Sequence, residues 1–212
     1  MTTPQTVALI GATGKAGKYI IQQLLKNGYA IKALIRKPNL FTFSHPLLQI
    51  VPGEAKDAVT VDLLVKDCSA VVSTLGQKPG EPLVSALAAG HIISAMNNYG
   101  VKRYLFLSGL NLDVPGDQKS EANQAKSAWM KQHYPDAVAD KQTAYELVAA
   151  SDIDYTMIRL PLIEQTDERR TLIVNLYDCP GDVISTADLA AFIMDQITSK
   201  QYLKQAPFVA SI

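Results

Sequence analysis

Residues 7–17 read Val7-Ala8-Leu9-Ile10-Gly11-Ala12-Thr13-Gly14-Lys15-Ala16-Gly17, a short apolar run that leads into three glycines spaced three apart. Apolar side chains then recur at helical spacing, at Ile20, Ile21, Leu24 and Leu25. A strand, a glycine turn and a helix in this order let the backbone approach a phosphate closely at a helix N-terminus. The order predicts a dinucleotide-binding turn. The alternative is that the glycines only permit tight packing of the helix against the strand.

The composition limits the classes of partner. The chain has 212 residues, 48% of them hydrophobic, and a formal net charge of zero, which gives no reason to expect nucleic acid or an anionic membrane as a partner. No apolar run approaches the ~20 residues of a transmembrane helix. The start of the chain, residues 1–5, lacks the basic and apolar regions of a signal peptide. We therefore expect a cytoplasmic protein.

The chain contains few residues of the types that form disulfides or bind metals. Its two cysteines, Cys68 and Cys179, are far apart and are interpreted as reduced thiols. Its three histidines, His45, His91 and His133, are scattered along the chain. We expect no metal site.

Strand-like and helix-like segments alternate through the first half of the chain. After the glycine turn, strands are predicted at 30–36, 48–51, 70–76 and 101–109, and helices over 56–67 and 83–99. The run at 70–76 is continuously apolar, as in a parallel strand that is buried on both faces. The alternation predicts an α/β fold, a Rossmann-like doubly wound parallel sheet, formed as a single domain over residues 1–212. Strand one is expected to be central, beside strands two and four.

The second half is less regular. It predicts helices over 120–133, 136–150 and 186–197, a strand at 154–161, a short extended run at 171–174 and a final strand at 206–210. Pro207 in the final strand suggests a sheet edge. The segments 110–135 and 162–183 lose the simple period, and long irregular segments in compact domains are often functional. We expect these two segments to border a substrate.

Candidate cofactor-binding residues lie at three strand ends. Arg36 and Lys37 end the second strand with no carboxylate until Glu54, which favours the 2′-phosphate of NADP over the 2′-hydroxyl of NAD; a solvated strand end is the alternative. Ligands of open α/β sheets lie at the carboxyl ends of the strands, so the end of the fourth strand is also a candidate, or else an ordinary turn. The full candidate set is Gly11, Thr13, Gly14, Lys15, Ala16, Gly17, Arg36, Lys37, Ser73, Thr74, Leu75 and Gly76.

Several segments resemble the atypical short-chain dehydrogenase/reductase proteins, the NAD(P)H-binding group that includes NmrA-like and biliverdin/flavin-reductase-like proteins. They are residues 11–17, 34–36, 107–109, 154–161 and 184–190. The resemblance implies a serine at the end of the fifth strand and a tyrosine and a lysine one helical turn apart. Ser108 matches the serine. Lys141 matches the lysine, ten residues before Ser151, and Pro161 is expected near the nicotinamide with them.

The chain departs from this pattern at the tyrosine, because Ala137 stands four residues before Lys141. Tyr134 could fold inward from a loop. Tyr145 lies one turn after Lys141, although a core position is the alternative for Tyr145, as a solvated helix position is for Lys141. Without the tyrosine, alcohol oxidation is disfavoured. Reduction of a conjugated acceptor such as a quinone or a flavin is favoured, since solvent can supply the proton.

Two functions follow from these observations. The first is an NADPH-dependent reductase of a small-molecule acceptor, with Ser108 and Lys141 as the candidate catalytic residues. The second is a non-catalytic NAD(P)H-binding redox sensor or regulator that acts through a protein partner. A nucleotide-sugar epimerase or dehydratase is disfavoured, because that chemistry needs the absent tyrosine. The protein is expected to be a monomer or a homodimer.

Overall fold

The computed structural model describes residues 5–77 and 80–212, so four of the residues considered above for a signal peptide lie outside the described residues. The elements, in chain order, are β1 (Thr6–Ile10), α1 (Gly17–Lys26), β2 (Ala30–Ile35), β3 (Leu48–Pro52), α2 (Ala58–Val65), β4 (Ala70–Ser73), α3 (Ser85–Tyr99), β5 (Arg103–Gly109), α4 (Glu121–His133), α5 (Pro135–Ala149), β6 (Asp154–Leu160), β7 (Leu162–Glu164), β8 (Leu172–Asn175), β9 (Val183–Ser185), α6 (Thr186–Gln196) and β10 (Phe208–Ser211).

The strands form one mostly parallel sheet in the order β3-β2-β1-β4-β5-β6-β10-β9-β7, and β8 pairs with β10. The α/β fold with a doubly wound parallel sheet is confirmed, and β1 lies between β2 and β4 as predicted. The chain leaves β1 toward β2 and β3 on one side and returns to β4 on the other. The end of β1 is therefore the point where the strand order reverses, which is where open α/β sheets bind their ligands.

The apolar run of β1 is explained by burial on both faces of the sheet. Val7 and Leu9 pack in one core cluster, together with side chains of α1 and α6. Ala8 and Ile10 pack in the other core cluster, with side chains of α2, α3 and α5. All four side chains are at most 1% exposed, which is why the run shows no alternation of polar and apolar residues.

The structure corrects two predictions in the last third of the chain. The final strand, β10, is not at a sheet edge, because it pairs with β6 on one side and with β8 and β9 on the other. Pro207 precedes the first paired residue of β10 and needs no N–H there, and its carbonyl accepts the N–H of Arg159 at 2.8 Å. The segment 162–183 is also less irregular than predicted, since it contains β7 and the start of β9 in addition to β8, which matches the extended run predicted at 171–174.

Two features are absent from residues 5–77 and 80–212. No helix there has the length and apolar character that crossing a membrane requires. No three His, Cys, Asp or Glu side chains there come together in a group that could hold a metal ion.

Candidate functional site

The glycine turn joins β1 to α1 through two glycines that backbone contacts require. Gly11 has a φ of +86°, and a Cβ at this position would lie 2.8 Å from the carbonyl oxygen of Thr74. At Gly17 a Cβ would overlap the carbonyl group of Ala12 and lie 2.7 Å from the carbonyl oxygen of Gly11. Gly17 therefore lets α1 pack directly on the turn, as the alternative interpretation held, whereas Gly11 lets the turn approach the end of β4.

The N-terminus of α1 presents backbone donors without a side-chain acceptor. Its N-cap residue is Ala16, no side chain caps it, and the first turn carries no acidic residue. The turn is closed by bonds from the Gly14 N–H to the Gly11 carbonyl at 2.8 Å and from the Gly17 N–H to the Gly14 carbonyl at 3.1 Å. Such a helix end, with its partial positive charge, suits a pyrophosphate. Thr13, Gly14 and Lys15 are exposed at this turn, while Ala16 and Gly17 are buried.

The end of β4 is bound directly to the end of β1. The Thr74 N–H donates to the Ile10 carbonyl at 2.9 Å, and the Thr74 hydroxyl donates to the Gly11 carbonyl at 3.1 Å. Leu75 is half-buried and Gly76 is exposed. Thr74 thus lies directly beside the glycine turn, and Leu75 and Gly76 follow it.

Arg36 has a carboxylate partner that the sequence analysis did not foresee. Its Nη1 lies 3.1 Å from Glu81 Oε2 and its Nη2 lies 3.4 Å from Glu81 Oε1. Glu81 lies 45 positions later in the chain. The sequence has no carboxylate between Arg36 and Glu54, but the fold brings the later Glu81 to Arg36. Lys37 beside it is exposed.

Ser108 and Lys141 line one cavity that lies between the strands β4 and β5 and the helices α3 and α5. The cavity measures about 30 Å³, and its lining includes Ser73, Tyr104, Phe106, Ser108 and Lys141. Ser108 is 7% exposed, and its hydroxyl has no hydrogen-bond partner among the described residues. A cavity of this size accommodates about one water molecule. An acceptor molecule must therefore meet Ser108 and Lys141 from the mouth of the cavity.

Lys141 lines the cavity, and its neighbour Asp140 binds the start of α3. The Asp140 carboxylate accepts the N–H groups of Ser85 at 2.7 Å and Ala86 at 3.1 Å, and so it caps α3. Burial lowers the pKa of Lys141, and the charge of Asp140 opposes this shift. Lys141 is thus not the solvated helix lysine that the alternative interpretation described.

Neither substitute tyrosine reaches this cavity. Ala137 lies on α5 and has no hydroxyl. Tyr134 is 44% exposed, and its ring stands edge-on against Trp129 at 5.9 Å, so the suggestion that it folds inward is wrong. Tyr145 is buried edge-on against Tyr155 at 6.3 Å, which agrees with a core role.

Tyr104 is the hydroxyl that the sequence analysis missed. Burial raises the pKa of Tyr104, and a hydrogen bond with Ser73 opposes the shift. Residues two apart in a strand share a face, and Tyr104 lies four residues before Ser108 on β5. The alternation of side chains along β5 therefore indicated that Tyr104 and Ser108 lie on the same face of the sheet.

Arg159 holds the two predicted substrate-side segments together. It is fully buried, and its guanidinium lies 2.7 Å from Asp117 Oδ2 in the segment 110–135. The same group donates to the Leu176 carbonyl at 3.3 Å in the segment 162–183 and to the Ala206 carbonyl at 2.8 Å. Its plane lies over the Phe208 ring at 3.5 Å. Pro161, two residues on, follows directly from this anchored strand end.

A wider recess lies apart from the candidate residues. It measures about 320 Å³ and is lined by Val174, Asn175, Leu176, Tyr177 and Tyr202. None of the candidate cofactor-binding or catalytic residues lines it, so we do not include it in the candidate site.

Comparisons with known proteins identify an NAD(P)H-binding family. A family model described as NAD(P)H-binding matches residues 11–200. Phenylcoumaran benzylic ether reductase 1 of Arabidopsis thaliana is 26% identical over 170 residues, which are 74% of this chain and 49% of that protein. The protein YwnB of Bacillus subtilis (strain 168) is 23% identical over 215 residues, 97% of this chain and 98% of that protein. The chain thus spans about half the length of one relative and nearly all of the other.

Solved structures share the fold over nearly the whole chain. A short-chain dehydrogenase/reductase from Veillonella parvula DSM 2008, in complex with NADP, is 15% identical with a TM-score of 0.83, and the match covers 99% of this chain and 95% of that one. An anaerobillin reductase from Escherichia coli O157:H7 is 21% identical with a TM-score of 0.79, and the match covers 98% and 97%. These likenesses show a common Rossmann-like fold.

Proposed function

Because the chain belongs to the NAD(P)H-binding family, we propose that it is an NADPH-dependent reductase of a small conjugated acceptor such as a quinone or a flavin. The observation that carries the proposal is the pairing of Ser108 and Lys141 in one cavity beside the cofactor crevice. A cytoplasmic location and a monomeric or homodimeric state belong to the same proposal.

The crevice offers groups that suit each part of the dinucleotide. The uncapped N-terminus of α1 suits the pyrophosphate, and Arg36 at the end of β2 suits a 2′-phosphate. The absence of a Cβ at Gly11 keeps the turn close to Thr74. Ser108, Lys141 and Pro161 are the candidates for the nicotinamide end.

The polar groups at the cavity suit hydride acceptance by a delocalised system. When bound, NADPH supplies the hydride. The Ser108 hydroxyl can donate a hydrogen bond to an oxygen that gains negative charge, and the Lys141 ammonium can stabilise that charge electrostatically. No tyrosine hydroxyl stands at position 137 to act as a general acid. A quinone or flavin can take its proton from water afterwards, whereas a simple ketone needs it during hydride transfer.

The alternative function is a non-catalytic NAD(P)H-binding sensor, and Ala137 is the observation that favours it. A sensor needs the cofactor crevice. It has no use for a buried hydroxyl that lacks a hydrogen-bond partner or for a desolvated lysine at the nicotinamide end.

A panel of acceptors, followed by the loss of NADPH absorbance, tests the proposal. We expect turnover with quinones or flavins, and rates with aliphatic ketones lower by about 10²–10⁴-fold, the usual contribution of general acid catalysis. Ser108→Ala and Lys141→Met should lower the rate, while Ser44→Ala and Lys102→Met, at exposed positions, should not. Tight NADPH binding without turnover of any acceptor would instead establish the sensor. Fast reduction of a plain ketone would show that another group supplies the proton.

A further inference from the structure

We propose that Glu81 is a specificity-determining residue, an internal competitor that limits the preference of this chain for NADPH over NADH. The inference rests on the proposed function, because it assumes that the dinucleotide binds across the glycine turn. It concerns the Arg36 guanidinium, which a 2′-phosphate would bind.

The geometry places the Glu81 carboxylate on the same face of Arg36 that a phosphate would use. Both carboxylate oxygens face the two guanidinium Nη atoms, at 3.1 and 3.4 Å. Planar, two-pronged contact of this kind is also how arginine binds phosphate. A bound 2′-phosphate must therefore either displace Glu81 or share Arg36 with it.

The backbone around Glu81 is held so that the carboxylate stays near Arg36. The Gln77 Nε2 donates to the Glu81 carbonyl at 2.7 Å. Four residues after Glu81, the Ser85 N–H at the start of α3 donates to Asp140 at 2.7 Å. The Glu81 side chain is 40% exposed and that of Arg36 is 51% exposed, so a ligand in solvent can reach the pair.

Glu54 is the other carboxylate that acts on Arg36, and it has its own partner. Glu54 lies 2.8 Å from Lys56. The pKa of Glu54 is lowered chiefly by Lys56 and only weakly by Arg36. Replacement of Glu54 is therefore a matched control, since it also removes one negative charge near Arg36 but leaves the Arg36–Glu81 pair in place.

The two cofactors meet Glu81 differently. A 2′-phosphate brings about −1.5 to −2 charges at neutral pH, so Glu81 repels it and competes with it. A 2′-hydroxyl is neutral, so it neither displaces Glu81 from Arg36 nor is repelled by Glu81. The difference in binding free energy between NADPH and NADH is then the gain from contact of the 2′-phosphate with Arg36, less the cost of breaking the Arg36–Glu81 pair.

The size of the effect follows from the exposure of the pair. Exposed ion pairs contribute about 0.2–1 kcal/mol, a factor of about 1.4 to 5 in affinity. Because the contact is two-pronged, Glu81→Gln should tighten binding of a 2′-phosphate by about two- to five-fold, the upper part of this range. The change should shrink as the salt concentration rises, because exposed charges are screened.

Isothermal titration of the cofactor-free protein with 2′,5′-ADP and with 5′-AMP tests the inference without any activity assay. We expect Glu81→Gln to tighten 2′,5′-ADP about two- to five-fold and to leave 5′-AMP unchanged. Glu54→Gln should have the smaller effect on 2′,5′-ADP. In an Arg36→Ala background Glu81→Gln should have a smaller effect on 2′,5′-ADP, since the competition for Arg36 is gone and only the repulsion between Glu81 and the phosphate remains.

Two results would overturn the inference while leaving the proposed function intact. One is unchanged 2′,5′-ADP affinity in Glu81→Gln. The other is weaker 5′-AMP binding in that variant, which would mean that Glu81 accepts the 2′-hydroxyl and favours NADH. If neither compound binds the wild-type protein at millimolar concentration, the proposed function fails, and this inference fails with it.

Discussion

Asp117→Asn should destabilise the protein strongly, because it removes the negative charge from the only carboxylate that pairs with Arg159 in the described residues. Arg159 is 1% exposed at its side chain and Asp117 is 14% exposed. Burial lowers the pKa of Arg159, and the hydrogen bond and charge of Asp117 oppose this shift. The variant keeps the side-chain volume and leaves a buried cation without a counter-charge.

The expected loss is near the lower end of the range for a broken buried pair, about 3–5 kcal/mol. Arg159 keeps carbonyl acceptors at Ala206 and Leu176, and its contact with the Phe208 ring remains. We therefore expect a loss of about 3 kcal/mol. For a chain of this length, each kcal/mol lowers Tm by about 2–4 °C, so the midpoint should fall by roughly 6–12 °C.

Thermal and urea unfolding at pH 7, followed by circular dichroism, measure this loss. Asp113→Asn is the matched control, since Asp113 pairs with Lys119 at 3.1 Å and Lys131 at 2.6 Å but is 61% exposed. Exposed pairs contribute about 0–1 kcal/mol. If Asp117→Asn also lowers the free energy of unfolding by less than about 1 kcal/mol, the carbonyl groups alone satisfy Arg159. The ion pair with Asp117 would then not hold the two segments together.

Two further predictions use the same unfolding measurements. Gly17→Ala should destabilise the fold, since its Cβ would overlap backbone atoms, and titration should detect no NADP binding. Gly90→Ala is the control, because the space around this position in α3 is open, and it should stabilise the protein by about 0.5–1 kcal/mol. Lys141→Met should raise stability at pH 7. The pKa of Lys141 is lowered in the folded state, so the unfolded chain binds the proton more tightly, and the gain should shrink as the pH rises toward the unfolded value of about 10.4. A loss of stability at pH 7 would contradict this account of Lys141.

The first half of the fold was predictable because its signals are local. The apolar run of β1 and the glycines after it identify a strand, a turn and a helix within about twenty residues. The predicted helix at 83–99 became α3 at Ser85–Tyr99, and the predicted strand at 101–109 became β5 at Arg103–Gly109. Each of these segments has enough apolar periodicity to define itself without knowledge of its neighbours.

The last third was less predictable because its strands depend on distant partners. β7 and β9 have three residues each, and β8 has four. Their pairing joins positions far apart in the chain, such as Ile173 with Ala210. Three residues carry almost no period, so nothing local indicates such a strand. The proline before β10 was misleading for the same reason, since its effect depends on which N–H groups the neighbours require.

The candidate site likewise combines local features, which were predictable, with tertiary contacts, which were not. The glycine turn and the end of β2 are local features. The resemblance to a known family matched Ser108 and Lys141 to the serine and the lysine of that family. Glu81 on Arg36 and Asp117 on Arg159 are tertiary contacts between oppositely charged residues. A sequence with 20 acidic and 20 basic residues allows far too many such pairs for one to be chosen.

The polar groups at the cavity favour a reductase over a sensor on energetic grounds. A buried hydroxyl without a partner costs about 1–3 kcal/mol, and Ser108 is such a group among the described residues. Lys141 adds the desolvation that lowers its pKa. Alanine at the first position and methionine at the second would avoid both costs. Positions where a chain departs from what stability favours are expected to be functional. A dinucleotide sensor requires only the crevice, whereas the proposed reductase gives a role both to the unpartnered Ser108 hydroxyl and to the desolvated Lys141.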